Sequence, residues 1–284
     1  MYIQPFYGNY DGKGYVISNL YINKNGGTDD RIVSFFGSLK NANINSVHLK
    51  NILYLVENCR VSSFCDNAFE SNISNSSTTG TIIVNNKQRT NAYGHDYIGY
   101  SSASGFVNQA LFSTIENCFS EVDIISKNFA HNSTNGFIST LFNSVLSNSY
   151  YRGTMVNPTR FSTGLIGNMN DSKVEYCYSV VNTNSAMFGI TWNVTNSNIK
   201  STYFLKSRII QKPFPKEINT PLSKMMDKKN ITLKKFSGKG LSNKTIKVRS
   251  SFKEWNFDDI WAIDNNINDG LPYLRNMKNY LKLI

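Results

Sequence analysis

At 284 residues, with 40% hydrophobic, 13% aromatic and only 17% charged side chains, the chain can bury a substantial core under a polar but mostly uncharged surface. No stretch approaches the roughly 18 to 20 consecutive apolar residues of a helical membrane span, and the opening MYIQPFYGNY lacks the basic head and apolar run of an export signal. Formal net charge is +11, almost all from the last third: residues 1–200 hold 13 Lys or Arg against 12 Asp or Glu, and residues 201–284 hold 17 against 7.

From residue 34 onward the chain reuses one unit. A small residue and two apolar ones are followed, ten positions after the small residue, by another apolar side chain. Ser34, Phe35 and Phe36 lead to Ile44; Ser63, Phe64 and Cys65 to Ile73; Gly105, Phe106 and Val107 to Ile115. Gly136, Phe137 and Ile138 lead to Leu146, and Gly164, Leu165 and Ile166 to Val174. The sixth start, Ala186, Met187 and Phe188, reaches Ile199 after three extra residues. A second half recurs in phase, as IENCF at 115, LSNSY at 146, VEYCY at 174 and IKSTY at 199. VENC at 56–59 repeats the same phrase without an opening and is read as an extra strand. Unit starts lie 29, 42, 31, 28 and 22 residues apart, so insertions are tolerated between them.

One such unit, a short apolar strand, a polar turn and an alternating strand, cannot bury its own apolar face. Stacking the copies in parallel at about 4.8 Å does so, which predicts an all-β, right-handed parallel β-helix. A β-sandwich also has closely spaced strands, but it has no reason to repeat two-strand units in phase. In the stack, Ser76, Cys118, Ser149, Cys177 and Thr202 form an inward column of small residues. Cys118 and Cys177 stand two units apart, about 10 Å at that spacing, too far for a disulfide. With Cys59 and Cys65 they read as buried small hydrophobes, and their spacing fits no zinc pattern.

Three regions follow: the β-helix over 1–205 with lead-in strands at 5–23, a basic insertion over 206–253, and an aromatic-rich cap over 254–284. Within the insertion, Thr220 and Pro221 start a short predicted helix with Leu222, Met225 and Met226 on its apolar face, and KFSGKGLSNKTIKVRSS reads as loop and a short strand. Its cations, including Lys228, Lys229, Lys234, Lys235, Lys247 and Arg249, would draw an acidic polysaccharide or another polyanion in a salt-dependent manner. The alternative is a solvated surface. Specific nucleic-acid recognition is not expected, because aromatics are not interleaved with the lysines. Trp255, Phe257, Trp261 and Tyr273 supply a cap for the last rung; a sugar-stacking platform is the alternative.

GLIG at 164–167, the polar turn after it and VEYCYS together resemble the GLUG repeat of large bacterial surface and secreted proteins. PFYGNYDGKGYVISNLYIN at 5–23 is similar to the segment that precedes such arrays, and WNFDDIWAIDNNINDGLPYL at 255–274 to their closing segment. Only the unit at 164 has both glycines of the name, and Leu271 stands where the closing segment usually has an aromatic. The resemblance implies an adhesin-like role outside the cell or at its surface, and further strands ahead of Pro5. It carries no catalytic motif.

Catalysis is therefore not expected, and neither is a cofactor or a metal. Were the chain a polysaccharide lyase or hydrolase, Glu116 and Glu175 are the candidate carboxylates, outward-facing two units apart with Ser147 between. Asp66, Glu70 and Asp96 could meet only through loop geometry. The longest departure from the period, at 81–104, brings Tyr93, His95, Tyr97 and Tyr100 into one loop, the first place to look for a ligand on the repeat region. The expected role is a noncatalytic surface module that binds a glycan or a partner surface; a carbohydrate-active enzyme and a structural spacer are the alternatives.

Overall fold

The computed structural model describes residues 4–25, 32–85, 88–90, 96–98, 102–127, 133–159, 161–210, 212–213 and 233–281. They form an all-β parallel β-helix. Eight successive coils can be traced among them, over 6–25, 32–57, 60–85, 102–127, 134–156, 163–183, 188–205 and 233–241. The ten-residue spacing is the register of this stack: Ile44 pairs with Ile73, Ile73 with Ile115, Ile115 with Leu146, Leu146 with Val174, and Val174 with Ile199. All six are buried, as parallel sheets require of the side chains facing the core. Next to them Phe64, Phe106 and Phe137 stack with centroids 4.6 and 4.8 Å apart, one ring per coil.

Two corners bend each of the six coils from 32–57 to 188–205. At the first, Asn41, Glu70, Phe112, Asn143, Asp171 and Asn196 have φ between 45° and 52°; at the second, Ser46, Asn75, Asn117, Asn148, Tyr176 and Ser201 have φ between 42° and 56°. Left-handed backbone is tolerated best, after glycine, by Asn and Asp, so much of the chain's asparagine serves to turn corners.

Immediately after the first corner comes a buried serine in five consecutive coils: Ser71, Ser113, Ser144, Ser172 and Ser197. Each hydroxyl donates to the carbonyl two residues back, at 2.7 to 2.8 Å. Each also accepts the N–H of its counterpart one coil earlier, at 2.9 to 3.1 Å, beginning with Ala42. Corner amides that the sheet leaves over are thus satisfied by side chains. After the second corner lies the predicted small column of Ser76, Cys118, Ser149, Cys177 and Thr202, all fully buried. Cys118 and Cys177 donate to the carbonyls of Glu116 and Glu175, both at 3.1 Å. All four cysteines are free and buried; burial pushes the Cys177 thiol up to about 12 and raises that of Cys118 further still.

Three readings change. The lead-in segment is a coil in its own right: Phe6–Asp11 pairs with Phe36–Asn45, while Val16–Ser18 and Tyr21–Asn25 pair with His48–Glu57. VENC closes that same second coil, since Val56 lies beside Val84. The stretch read as loop and a short strand within the basic insertion gives a nine-residue strand, Leu233–Leu241, parallel to Ser197–Leu205. Gly238 permits this, because a Cβ there would stand 1.9 Å from the Thr202 carbonyl oxygen. The predicted helix at 220–226 lies outside the described residues.

The aromatic C-terminal segment covers a flank of the solenoid. Trp255 and Trp261 pack on Phe119, Tyr150, Tyr178 and Tyr203, which face outward on four successive coils. Further on, Asn276 reaches Asn75 at 2.9 Å, and the Tyr280 ring lies 3.4 Å from that of His48 while its hydroxyl donates to Gly14 at 3.0 Å. The segment is a strap running back toward the first coil. Its apolar residues answer an apolar strip along the side, which the expectation of an end cap did not anticipate.

Candidate functional cleft

Strand alternation sets up the cleft. On Phe119–Lys127, Tyr150–Val156 and Tyr178–Thr183, the first residues form an outward aromatic stack, Phe119 to Tyr150 at 5.1 Å and Tyr150 to Tyr178 at 4.8 Å. Two positions on come Glu121, Arg152 and Val180, and two further Asp123, Thr154 and Asn182, on the same outer side. The strap seats its tryptophans on the aromatics and passes Asn243, Lys247, Asn265, Asp269 and Leu271 over the polar positions. A cavity of about 640 Å³ lies between the two walls.

Fixed polar contacts hold it open. Arg152 donates to Asn268 at 2.7 Å and is ion-paired with Asp269. Asn268, Asp269 and Gly270 are three successive left-handed residues, and this turn presents both acceptors to the guanidinium. Asn268 in turn donates to the Pro272 carbonyl at 2.8 Å, beside the Tyr178 hydroxyl that donates to the same oxygen at 2.6 Å. Glu121 is 1% exposed and accepts from the Tyr150 hydroxyl at 3.3 Å. Asp123 accepts the Thr154 N–H at 2.8 Å. Burial, reinforced by the nearby Glu121 charge, raises the Tyr150 pKa well above its ordinary value, so this hydroxyl is a neutral donor. Three carboxylates and two cations line a cavity in an otherwise basic chain, with amides and a hydroxyl between them. Such a wall can orient a polyhydroxylated ligand through many directional hydrogen bonds.

Of the residues singled out from the sequence, Lys247 lines this cleft. Arg249 pairs with Asp258 at 3.2 Å on the strap's outer surface and lies 5.1 Å over the Phe257 ring. Lys234 and Lys235 fall in the last coil, with Lys235 beside Asn198. Their side chains, like Lys228, Lys229, Tyr93, His95 and Tyr100, lie outside what is described. Tyr97 pairs with Arg89 in a two-stranded ladder, its side chain also outside the description. Glu116 and Glu175 do stand two coils apart with Ser147 between, but on an open strand face away from the cleft. Asp66 is bound in the interior by Arg60 at 2.6 and 2.8 Å and by Asn108 at 2.8 Å, so it is not a free carboxylate. Among the described residues, no group of three or more His, Cys, Asp or Glu could hold a metal ion, and no helix is long and apolar enough to cross a membrane.

Glu121 and Asp123 were missed. The signal was present: EVD follows IENCFS directly, and the in-phase repeat already placed those positions on the outer side of one strand. What the sequence did not show is the second wall.

No family model and no curated protein matches the chain. Among solved structures it is similar to a Bacteroides ovatus protein described as a "putative immunoglobulin A1 protease", with a TM-score of 0.51 and 16% identity over 94% of this chain and 76% of that one. At that identity the likeness supports the β-helix fold alone.

Proposed function

We propose that this chain is a noncatalytic, adhesin-like module, extracellular or on a cell surface, that binds a glycan in the cleft between solenoid and strap. The carrying observation is the 640 Å³ cavity walled by Asp123, Thr154, Asn182, Asn243 and Asn265, all able to bond sugar hydroxyls. Arg152, Glu121 and Asp123 already have protein partners, which suits a rigid binding wall. The GLUG-like repeats support the location. The test is calorimetry of the intact chain against neutral and acidic polysaccharides. Neutral ligands should bind, and Asp123→Asn with Asn182→Ala should weaken them at least tenfold without moving the Tm. Binding confined to acidic polymers and lost with salt would transfer the site to the lysines, and silence would leave a spacer.

A second reading, a polysaccharide-cleaving enzyme, is favoured by one feature. Glu121 and Asp123 are two residues apart on one strand, hence about 6.5 to 7 Å, within the range of acid and base pairs in glycoside hydrolysis. New chain ends that form with the wild type and vanish in Glu121→Gln would establish it.

A further inference from the structure

The first corner column holds Asn, Glu, Asn, Asp and Asn in five coils, but Phe112 in the fourth coil. Its φ is +52°, a conformation that a bulky apolar residue adopts only under strain, and its side chain is 50% exposed. Neither burial nor backbone preference accounts for a phenylalanine there, and strain held in place by its surroundings is a mark of function. The ring is fixed by T-shaped contacts on both sides, to Phe69 at 5.7 Å and to Phe142 at 5.5 Å. Leu111, half-buried, pairs in register with both Phe69 and Phe142. An aromatic ledge thus crosses three coils along the first corner, outside the lining of the cleft.

Beside it, two residues back along the same strands, runs a column of Asn67, Gln109, Thr140 and Asn168 in unbroken register. These are uncharged donors and acceptors at one per coil, about every 4.8 Å. The nearest cations stand at the margins: Lys40 lies 5.7 Å over the Phe69 ring, and Lys173 is two coils beyond Thr114. An acidic polymer finds no cluster of cations here and meets Glu70 and Asp171 in the same corner column. Apolar rings beside a periodic row of neutral hydrogen-bonding groups complement a neutral polysaccharide, whose sugar faces stack on rings and whose hydroxyls repeat along its length.

We propose that this ledge and amide column form a second glycan-binding face, independent of the cleft, which takes a neutral polysaccharide chain lying along the solenoid axis. Phe112 supplies the contact for which the corner strain is retained.

Phe112→Asn tests this directly, because it installs the residue that the neighbouring corners use. Wild type and variant would be compared by binding to immobilised neutral β-glucan, mannan and galactan, with hyaluronan as acidic control, and by thermal unfolding. The expected result is a Tm that rises while binding to a neutral polymer falls at least tenfold; Phe112→Leu, which keeps an apolar side chain but no ring, should lose binding comparably. Both Phe112 variants are made in the Asp123→Asn, Asn182→Ala background, so that the binding read is the ledge's alone; neutral-polymer binding that persists in that background and falls with Phe112 upholds this proposal whether or not the cleft reading fails. A lower Tm with binding intact would show that Phe112 serves packing, and would overturn the proposal. So would the absence of wild-type binding to all three neutral polymers, or a ledge needed only for self-association of the chain, seen as a concentration-dependent dimer that Phe112→Asn dissolves.

Discussion

The corner columns and the flank beneath the strap are carried by the same coils, yet they follow opposite rules. At the corners each coil repeats its neighbour: left-handed residue, then a small side chain whose hydroxyl or thiol caps a carbonyl and often serves the coil before it. On the flank, positions in equal register differ from coil to coil: Thr79 is followed by Glu121, and Arg152 by Val180. Interior corners are tied to a fixed coil spacing and close packing, so substitution there is costly. The flank is answered by a second wall, and only complementarity to that wall limits what it can carry. Repetition thus marks the scaffold, and departure from repetition marks the places where this chain has something particular to contact, Glu121, Arg152 and Phe112 among them.

The contrast can be broken from either side. The largest effect is expected from Trp261→Ala, which removes a fully buried ring from between Tyr150 and Tyr178 and should cost about 3 to 5 kcal/mol in chemical unfolding. It should also open the cleft while the β-sheet circular dichroism of the solenoid persists. Next is Ser144→Ala, in the middle of the serine ladder. It leaves the buried Ser113 N–H without an acceptor and should cost about 1 to 3 kcal/mol, whereas Ser147→Ala, on the outer face of the same coil, should cost under about 0.5 kcal/mol. Asn143→Ala should cost about 1 kcal/mol, because alanine is strained at φ 45° where asparagine is tolerated; Phe112→Asn, one coil earlier in the same column, should have the opposite sign.

A further effect is expected from pH. His48 is buried against Tyr280 and bonded to Ser77 at 2.8 Å, and burial pulls its pKa from 6.5 down to about 4. Neutral imidazole is therefore favoured in the folded state. Stability should be level above about pH 6.5, fall as the pH drops from 6.5 toward 4 because the unfolded chain takes up the proton first, and level off for this group below that. His48→Gln should flatten that slope in urea titrations.

The coil register was legible because burial of one residue per strand imposes a fixed spacing, and six isoleucine, leucine or valine positions carried it. The serine ladder was equally legible in principle: in five coils a serine stands two residues before that apolar position, as Ser113 does before Ile115. It went unread because a serine between polar neighbours looks like surface, and only stacking turns its hydroxyl inward. Leu233–Leu241 was read only in part for a different reason: its three lysines equal its three apolar residues in number and break any alternation, and its place is set by pairing with Ser197–Leu205.

By itself, then, the sequence determined the parallel β-helix, its register, the buried thiols and the aromatic richness of the C-terminal segment, all of which follow from periodic burial within one strand system. Only the tertiary structure decided where that segment lies, and hence that Glu121, Asp123 and Arg152 face Lys247 and Asp269 across a cavity. These facing residues are 95 to 148 positions apart in the chain, and no local spacing encodes their meeting; it follows from the fit of Trp255 and Trp261 against an outward aromatic stack that exists only once the coils have formed.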